Sequence, residues 1–297
     1  MGDGNISGVI IKGVGGLYTV STPEGLYICN ARGVFRNRNV SPVIGDRVLI
    51  SPTAEFNSQE MTGFLTDILP RKNELPRPRI ANVDQILVVM SAMKPDFNTG
   101  LLDRYLAVIE HAGIPAALVI NKRDLAPEND ARLKAYSDIY TGAGYAAVLT
   151  SAEKKEGLEE LREIMSGKLS VLAGPSGVGK TSLLNALIPE AGRETGAVSR
   201  KIERGRHTTR HTEILALSNG GFCADTPGFT SLDLTNIPPA KLSGLFREFL
   251  PFLDKCRFAD CLHIKETDCA VKEQVGRKIH PSRYESYTRA VNGWGRV

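Results

Sequence analysis

Short apolar runs separated by Gly, Pro and Asn occupy the chain up to about Pro78. Each run is long enough for a strand and too short for a helix, and turn residues recur between the runs. The pattern predicts about five short strands, which at this spacing favour a small closed or nearly closed barrel. The runs are GVII at Gly8 to Ile11, LYTV at Leu17 to Val20, LYICN at Leu26 to Asn30, RVLI at Arg47 to Ile50 and GFLTDIL at Gly63 to Leu69.

An OB-type barrel is the first interpretation of these strands, and it suggests a binding partner. Basic and aromatic side chains on the surface of such a barrel would suit single-stranded or looped RNA. The alternative is a generic barrel whose aromatic rings fill its core, and local sequence leaves both open. The side chains concerned are those of Arg32, Arg36, Arg38, Tyr27 and Phe35.

The pattern changes after LPRPR, Leu75 to Arg79, a proline-rich stretch that breaks helix and strand and predicts a linker. From Ile80, continuous apolar segments such as Gln85 to Met90 alternate with amphipathic ones such as Leu101 to Gly113. This alternation indicates a parallel sheet with helices on both faces. From about Thr235, short helical patterns follow and end in the basic helix PSRYESYTRAV.

These changes predict a multidomain chain. We expect an OB-type β-barrel over residues 1–78, an α/β domain over 79–233 and a mostly helical domain over 234–297. The 297 residues, 24% charged and 42% hydrophobic, fit a globular protein with several cores. The apolar runs are far shorter than the roughly 20 residues of a membrane helix, and no targeting signal opens the chain. We therefore expect a cytoplasmic protein that does not bind membranes.

Charge adds one feature to this picture. The net charge is only +4, but six basic residues against two acidic ones lie between Arg193 and Arg210. Such a bias suits a polyanionic partner, and a solvated charged surface is an equally good interpretation.

The strongest chemical signal is GPSGVGKT at Gly174 to Thr181, which follows a strand and opens a helix, as a P-loop does. Its glycines let backbone N–H groups turn toward phosphates, the catalytic Lys180 neutralises the β and γ oxygens, and Thr181 ligates Mg²⁺. A P-loop alone would also suit an ATPase or a kinase. The predicted phosphate-binding residues are Gly174, Pro175, Ser176, Gly177, Val178, Gly179, Lys180, Thr181 and Ser182.

Two polar segments at strand ends predict guanine as the base. In NKRD, the Asp124 carboxylate can accept hydrogen bonds from the N1–H and exocyclic amine of guanine, a donor pair that adenine lacks. Asn121 can brace the loop and meet N7, and the stem of Lys122 can cover the base. One strand and helix later, a turn at Ser151 and Ala152 can offer backbone N–H groups to guanine O6. Both segments follow buried strands, where ligands bind on open α/β sheets.

Downstream of the P-loop, DTPG fits the D-x-x-G motif of GTPases. Asp225 would hold Mg²⁺ through water, and the Gly228 N–H would meet the γ-phosphate. The loop between the two motifs ends in RHTTR, where Thr208 or Thr209 could supply a second hydroxyl to Mg²⁺. The guanine motif precedes the P-loop, whereas in the usual GTPase it follows. A circular permutation explains this order, since a site assembled in space survives it. We predict an α/β P-loop GTPase that is circularly permuted.

The residue that orients the hydrolytic water has to be found elsewhere. After D-x-x-G this chain has Phe229, whose apolar side chain cannot bind a water. His207 is the best-placed substitute, because an imidazole of near-neutral pKa can hydrogen-bond the water. The alternative is a solvated switch residue.

Three of the five cysteines crowd into the pattern Cys256-x4-Cys261-x-His263-x5-Cys269, which indicates metal binding. Three thiolates and one imidazole match a closed, structural zinc site. Reduced, unliganded cysteines are the alternative. The remaining two cysteines lie in predicted strands and are expected in the core.

Together, the permuted NKRD and P-loop, the Phe after DTPG, the HTT loop, the barrel and the C-x4-C-x-H-x5-C pattern resemble the bacterial ribosome small subunit-dependent GTPase A family. The resemblance covers essentially the whole chain, although HTTR stands where the family has HTTT. It implies hydrolysis of GTP to GDP and phosphate, stimulated by the 30S ribosomal subunit, in late maturation of that subunit. It also implies Mg²⁺ with GTP, one structural Zn²⁺, contacts to 16S rRNA and a monomeric state. A nucleotide-gated RNA-binding assembly factor, with hydrolysis only as a timer, stays the main alternative.

Overall fold

The computed structural model describes residues 5–31, 35, 40–53, 61–76, 78–188, 214–225 and 237–293. Five strands of the amino-terminal segment close into a barrel in the order β1-β2-β3-β5-β4. The pair β3–β5 is parallel, and the antiparallel pair β1–β4 closes the barrel. The predicted OB-type barrel is thus confirmed. The strands are β1 (Ile6–Val14), β2 (Leu17–Thr22), β3 (Gly25–Ala31), β4 (Arg47–Pro52) and β5 (Met61–Ile68).

The barrel core contains the two aromatic rings that were expected to face RNA. Tyr27 and Phe35 pack among buried aliphatic side chains and expose only 6% and 4% of their surfaces. Residues two apart on a strand share a face, so Tyr27 points inward together with Cys29, where its burial stabilises the barrel. The RNA-facing role of these two rings is therefore a wrong prediction. The arginines at positions 32, 36 and 38 lie outside the described residues.

The proline-rich stretch predicted as a linker contains a paired hairpin. Strand β6 (Glu74–Pro76) pairs antiparallel with β7 (Arg79–Ala81). The Arg71 guanidinium donates to the Glu74 carboxylate at 2.6 Å and to the Asp46 carboxylate at 2.6 Å and 2.8 Å, and Asp46 is fully buried. A two-stranded pair tolerates proline because its outer edge needs no ladder hydrogen bond. These contacts fix the stretch to the barrel loop that contains Asp46.

Six strands form the second sheet, in the order β10-β9-β8-β11-β13-β12. Strand β9 pairs parallel with both β8 and β10, whereas β12 and β13 are antiparallel. Every residue of β8, β9 and β11 is buried, as continuous apolar strands predict. The strands are β8 (Gln85–Ser91), β9 (Ala116–Asn121), β10 (Ala146–Leu149), β11 (Leu169–Ala173), β12 (Ile214–Ala216) and β13 (Phe222–Asp225).

Helices follow four of these strands, as the sequence predicts. Asn98 and Asp130 cap the first two helices, because their side chains accept backbone N–H bonds from Leu101 and Arg132. Among the described residues, no helix is long and apolar enough to cross a membrane. The helices are α1 (Thr99–His111), α2 (Ala131–Gly142), α3 (Leu158–Met165) and α4 (Lys180–Leu187).

By its internal contacts the chain divides into two compact units. The first comprises Met1–Asp84, Met165–Val171 and Leu187–Gly228. The second comprises Gln85–Ile164, Leu172–Ala186 and Phe229–Val297. The P-loop, the NKRD segment and the cysteine cluster all belong to the second unit. The three-domain division at residues 78 and 233 stays a prediction from sequence.

The carboxyl-terminal segment is helical, as predicted, and it shares a core with α1. In this core, the rings of Phe246, Phe249 and Tyr287 have centroids 5.0 Å to 5.4 Å apart and pack near Ala107 of α1. The two phenylalanines stack, and Tyr287 meets both edge to face. The segment consists of α5 (Pro239–Leu242), 3-10 turns at Ser243–Leu245 and Arg247–Lys255, α6 (Ala270–Glu273) and α7 (Pro281–Val291).

A buried ion cluster also joins α7 to α1. The Arg283 guanidinium donates to Asp103 Oδ1 at 2.6 Å and to the Glu248 carboxylate at 2.6 Å and 3.1 Å. Arg283 is only 1% exposed. Burial alone would lower the pKa of Arg283, but the carboxylates of Asp103 and Glu248 outweigh burial and raise that pKa well above its ordinary value. The Arg283 guanidinium therefore stays charged.

Candidate functional site

The P-loop connects β11 to α4, and its shape depends on glycines. Gly174 has φ +132°, and a Cβ there would lie 2.2 Å from the Val89 carbonyl oxygen. Gly179 has φ +91°, and a Cβ there would lie 2.5 Å from Asn121 Nδ2. Any side chain at either position would push the loop off its neighbours. The Lys180 ammonium donates to the carbonyls of Gly174 and Pro175 at 2.8 Å and 2.9 Å, so the loop encircles its own lysine.

Asn121, the last residue of β9, joins three of the predicted motifs. Its Nδ2 donates to the Val178 carbonyl of the P-loop at 3.0 Å. Its Oδ1 accepts bonds from Thr150 Oγ1 and from the Ala152 N–H, both at 3.2 Å. Asn121 is 1% exposed, and its bonds to Val178 and Thr150 are buried. The bracing role predicted for Asn121 is thus present as a contact, whereas its contact with N7 stays a prediction.

Lys122 and Asp124 project from the turn that follows β9. Lys122 is left-handed, with φ +61°, and its ammonium donates to the carbonyls of Lys94 and Gly177, both at 2.5 Å. The exposed Asp124 carboxylate accepts from Ser151 Oγ at 2.5 Å, and Ser151 Oγ accepts from the Lys154 N–H at 3.0 Å. The predicted small-residue turn therefore orients the carboxylate of the guanine motif.

Sequence reasoning missed the loop after β8 as part of this site. Its Lys94 carbonyl shares the Lys122 ammonium with the P-loop, and Pro95 Cδ lies 3.8 Å from the position of a Cβ at Gly177. The signal that could have revealed this loop is its position at the end of a fully buried strand.

Several predicted site residues cannot be placed. His207, Thr208, Thr209 and Gly228 lie outside the described residues. Asp225 ends β13, as the strand pattern predicts, and only its backbone is described. Their roles stay predictions.

The four predicted metal ligands converge in the carboxyl-terminal segment. Their ligand atoms all lie within 4.8 Å of one another. His263 Nδ1 is 3.5 Å from Cys256 Sγ and 3.4 Å from Cys269 Sγ, and these two sulfurs are 3.9 Å apart. A tetrahedral site with bonds of about 2.0–2.3 Å has edges of roughly 3.3–3.8 Å, so the spacing fits one ion at the centre. Cys261 supplies the remaining ligand of this Cys3His set.

The protonation of the cluster also fits a metal site. Burial raises the pKa of the Cys261 thiol to about 12 and lowers the pKa of the His263 imidazole. The neutral imidazole is the form that binds metals, whereas three neighbouring thiolates need a cation to be stable. The other two cysteines, Cys29 and Cys223, are buried in strands as expected.

The α/β sheet, the P-loop and an upstream NKRD segment define the class of this protein, a circularly permuted P-loop GTPase preceded by an OB-like barrel. The comparisons agree. A family model described as RsgA GTPase matches residues 68–235, and one described as RsgA N-terminal domain matches residues 7–58. The chain belongs to the RsgA GTPase family, and it is a GTP hydrolase.

Curated relatives match almost the full chain. A small ribosomal subunit biogenesis GTPase RsgA of Alkaliphilus metalliredigens is 41% identical over 285 residues, 96% of each chain. Another, of Caldanaerobacter subterraneus subsp. tengcongensis, is 45% identical over 283 residues, covering 95% of this chain and 93% of the relative.

Solved structures match equally well. The crystal structure of YjeQ from Thermotoga maritima has a TM-score of 0.81 at 37% identity and covers 99% of this chain and 100% of that chain. The structure of YloQ, described as a circularly permuted GTPase, has a TM-score of 0.79 at 34% identity and covers 97% of this chain and 94% of that chain.

Proposed function

We propose that this GTPase acts in late maturation of the small ribosomal subunit and that the 30S subunit stimulates its hydrolysis of GTP. The curated relatives, which are small ribosomal subunit biogenesis GTPases at 41% and 45% identity, support this role. One contact supports the nucleotide site most directly. The hydrogen bond from Asn121 of the NKRD segment to the Val178 carbonyl of the P-loop supports a single nucleotide site that both motifs share.

In this proposal, each motif meets one part of GTP. The Asp124 carboxylate, oriented by Ser151, accepts both guanine N–H donors, and Ala152 faces O6. The backbone N–H groups of the P-loop and the Lys180 ammonium bind the β and γ phosphates. The stem of Lys122 covers the base while its ammonium ties the P-loop to the loop after β8.

The hydrolytic residues come from the end of the P-loop and from the segment that follows it in sequence. Thr181, Thr208 and, through water, Asp225 would hold Mg²⁺, which when bound neutralises charge on the β and γ phosphates. His207 orients the attacking water, and the Gly228 N–H binds the γ-phosphate. Turnover would need the subunit because binding to it would bring His207 to the attacking water.

The partners follow from the same assignment. The Cys3His cluster holds one structural Zn²⁺, because its donors and spacing suit that ion. The barrel and the zinc-binding segment contact 16S rRNA, and the protein works in the cytoplasm as a monomer that binds the subunit.

The decisive test is GTP turnover measured alone, with purified 30S subunits and with 50S subunits as the control. We expect stimulation by 30S alone. Equal stimulation by both subunits, or none by either, would contradict the proposed role while leaving the nucleotide site intact.

Nucleotide choice tests the guanine site separately. Asp124→Asn replaces the two-oxygen acceptor with an amide and should weaken GTP binding at least about 100-fold, the value of roughly two charge-assisted hydrogen bonds. The exposed Asp138 on α2 offers a matched control, Asp138→Asn. Little preference for guanine over adenine nucleotides in the unchanged protein, unaffected by Asp124→Asn, would favour an ATPase or kinase instead.

A further inference from the structure

A glutamate outside the Cys3His set is surrounded by the backbone of the metal-binding loop, which we define as residues 261–266. The Glu266 carboxylate accepts the Leu262 N–H at 2.8 Å on one oxygen. Its other oxygen accepts the N–H groups of Ile264 and Lys265 at 2.9 Å and 3.0 Å. Three N–H donors of one turn thus converge on one anion, an arrangement that backbone N–H groups form around carboxylates and phosphates.

Carbonyl groups of the same loop also have side-chain partners. The Tyr284 hydroxyl donates to the His263 carbonyl at 2.7 Å, and the Tyr287 hydroxyl donates to the Leu262 carbonyl at 2.6 Å. The Lys272 ammonium donates to two further loop carbonyls at 2.9 Å and 3.3 Å. These partners come from α6 and α7, so the protein itself, and not only a metal ion, determines the path of the loop.

The residue that needs this support most is His263. Its φ of +57° is left-handed, a conformation that costs a residue with a side chain roughly 1 kcal/mol or more. Two of the N–H groups that Glu266 binds belong to the residues immediately before and after His263. Fixing both neighbours holds the imidazole toward Cys256 and Cys269.

We propose that Glu266 is a positioning residue of the metal cluster, whose carboxylate shapes the metal-binding loop so that Cys261 and His263 already face the other two ligands when the ion arrives. The inference rests on the proposed zinc site. Glu266 itself is not a ligand. It raises metal affinity because the ion need not order the loop.

The charge of Glu266 suits this role. Its own N–H and those of the loop lower the pKa of its carboxyl to about 2. The group is therefore an anion, and a full acceptor for these donors, at every pH at which cysteines and histidine could take up a metal.

The test is a zinc titration of the full-length protein, stripped of metal under reducing conditions, in competition with a chromophoric chelator. Glu266→Ala should bind Zn²⁺ about 10- to 100-fold more weakly than the unchanged protein. Glu266→Gln should lose less Zn²⁺ affinity. Its amide oxygen still accepts hydrogen bonds from the loop, while its NH₂ group faces the N–H donors that have lost their acceptor. The matched control is Glu273→Gln, which removes one charge from an exposed glutamate on α6 and should leave affinity unchanged.

Cobalt reports the coordination itself. Because the four ligands are unchanged, the Co²⁺ complex of both Glu266 variants should keep the absorption bands of the tetrahedral parent site and only need more metal to reach them. A loss of those bands at saturating Co²⁺ would show Glu266 in the ligand set and overturn the positioning role.

The outcomes separate the two proposals. If the unchanged protein fails to bind Zn²⁺, the zinc site itself is refuted. If it binds and Glu266→Ala binds within about twofold of it, or if Glu273→Gln is weakened equally, the positioning role is refuted. Should Glu266→Ala not fold by circular dichroism, Glu266→Gln decides, and an affinity equal to that of the parent refutes the role.

Discussion

Arg283 offers the sharpest test of how the carboxyl-terminal segment is held to α1. Replacing it with methionine keeps much of the side-chain volume but leaves Asp103 and Glu248 facing each other without a cation. Both carboxylates are buried, with side chains 0% and 3% exposed. Removing one partner from a buried ion pair costs about 3–5 kcal/mol, because the remaining charge keeps its desolvation penalty.

The assay is thermal unfolding followed by circular dichroism and by the emission of the tyrosines. In a chain of this size, 1 kcal/mol lowers the melting temperature by about 2–4 °C, so Arg283→Met should melt about 6–20 °C earlier. The control is Arg289→Met on the same helix. Arg289 pairs with Glu285 at the surface, where its side chain is 65% exposed, and such a pair contributes at most about 1 kcal/mol.

A triple variant tests the reasoning behind that magnitude. Combining Arg283→Met with Asp103→Asn and Glu248→Gln removes all three charges, so most of the lost stability should return. A melting temperature for Arg283→Met within about 2 °C of the parent would refute the claim that the cluster is desolvated. A triple variant as unstable as the single one would show that lost packing, and not unpaired charge, explains the effect.

Further predictions concern the nucleotide site, a buried thiol and the hairpin beside the barrel. Asn121→Ala leaves the buried Val178 carbonyl unpaired and should weaken GDP binding about 10- to 100-fold in a fluorescence titration. An affinity within twofold of the parent would contradict the bracing role. Burial raises the pKa of Cys29 to about 11, so iodoacetamide at pH 8 should leave Cys29 unmodified in the folded protein, while chelation makes the three cysteines of the metal cluster react. Peptide mass spectrometry measures the modification of each cysteine. A modified Cys29 beside unmodified cluster cysteines would contradict the prediction. A hydrogen bond from Arg79 lowers the pKa of Glu74, so Glu74→Gln should destabilise the first compact unit above the ordinary glutamate pKa of about 4.3. That destabilisation should fade as pH falls through the lowered pKa of Glu74. Urea unfolding at pH 7 and pH 3 measures it, and an equal destabilisation at both pH values would contradict the prediction.

Local sequence sufficed where one periodicity or one motif determines the structure. The fully buried strands β8, β9 and β11 appear as continuous apolar runs, and α7 begins and ends where its pattern does. Motifs that depend on backbone shape, such as the P-loop, also predict the strand before them and the helix after them. The Cys3His spacing similarly identified four side chains that converge within 4.8 Å.

Prediction failed where a distant partner decides the role of a residue. Tyr27 and Phe35 suit both an RNA surface and a barrel core, and only closure of the barrel decides for the core. In the sequence, Arg283 is one of several basic residues on a basic helix, but its partner Asp103 is 180 residues away in the chain. The proline-rich stretch contains strands because Arg71 binds Asp46 of the barrel. No local pattern contains such contacts.

The same contacts explain why the cysteine cluster belongs with the nucleotide site. Helix α1 follows the loop whose Lys94 carbonyl shares the Lys122 ammonium with the Gly177 carbonyl of the P-loop. One turn into α1, Asp103 binds Arg283 of α7. Farther along, the helix packs on the aromatic core of the carboxyl-terminal segment. Helix α1 thus contacts both the buried ion cluster and the aromatic core of the carboxyl-terminal segment. The metal-binding segment is therefore part of the GTPase structure and not an appendage joined by a flexible tether.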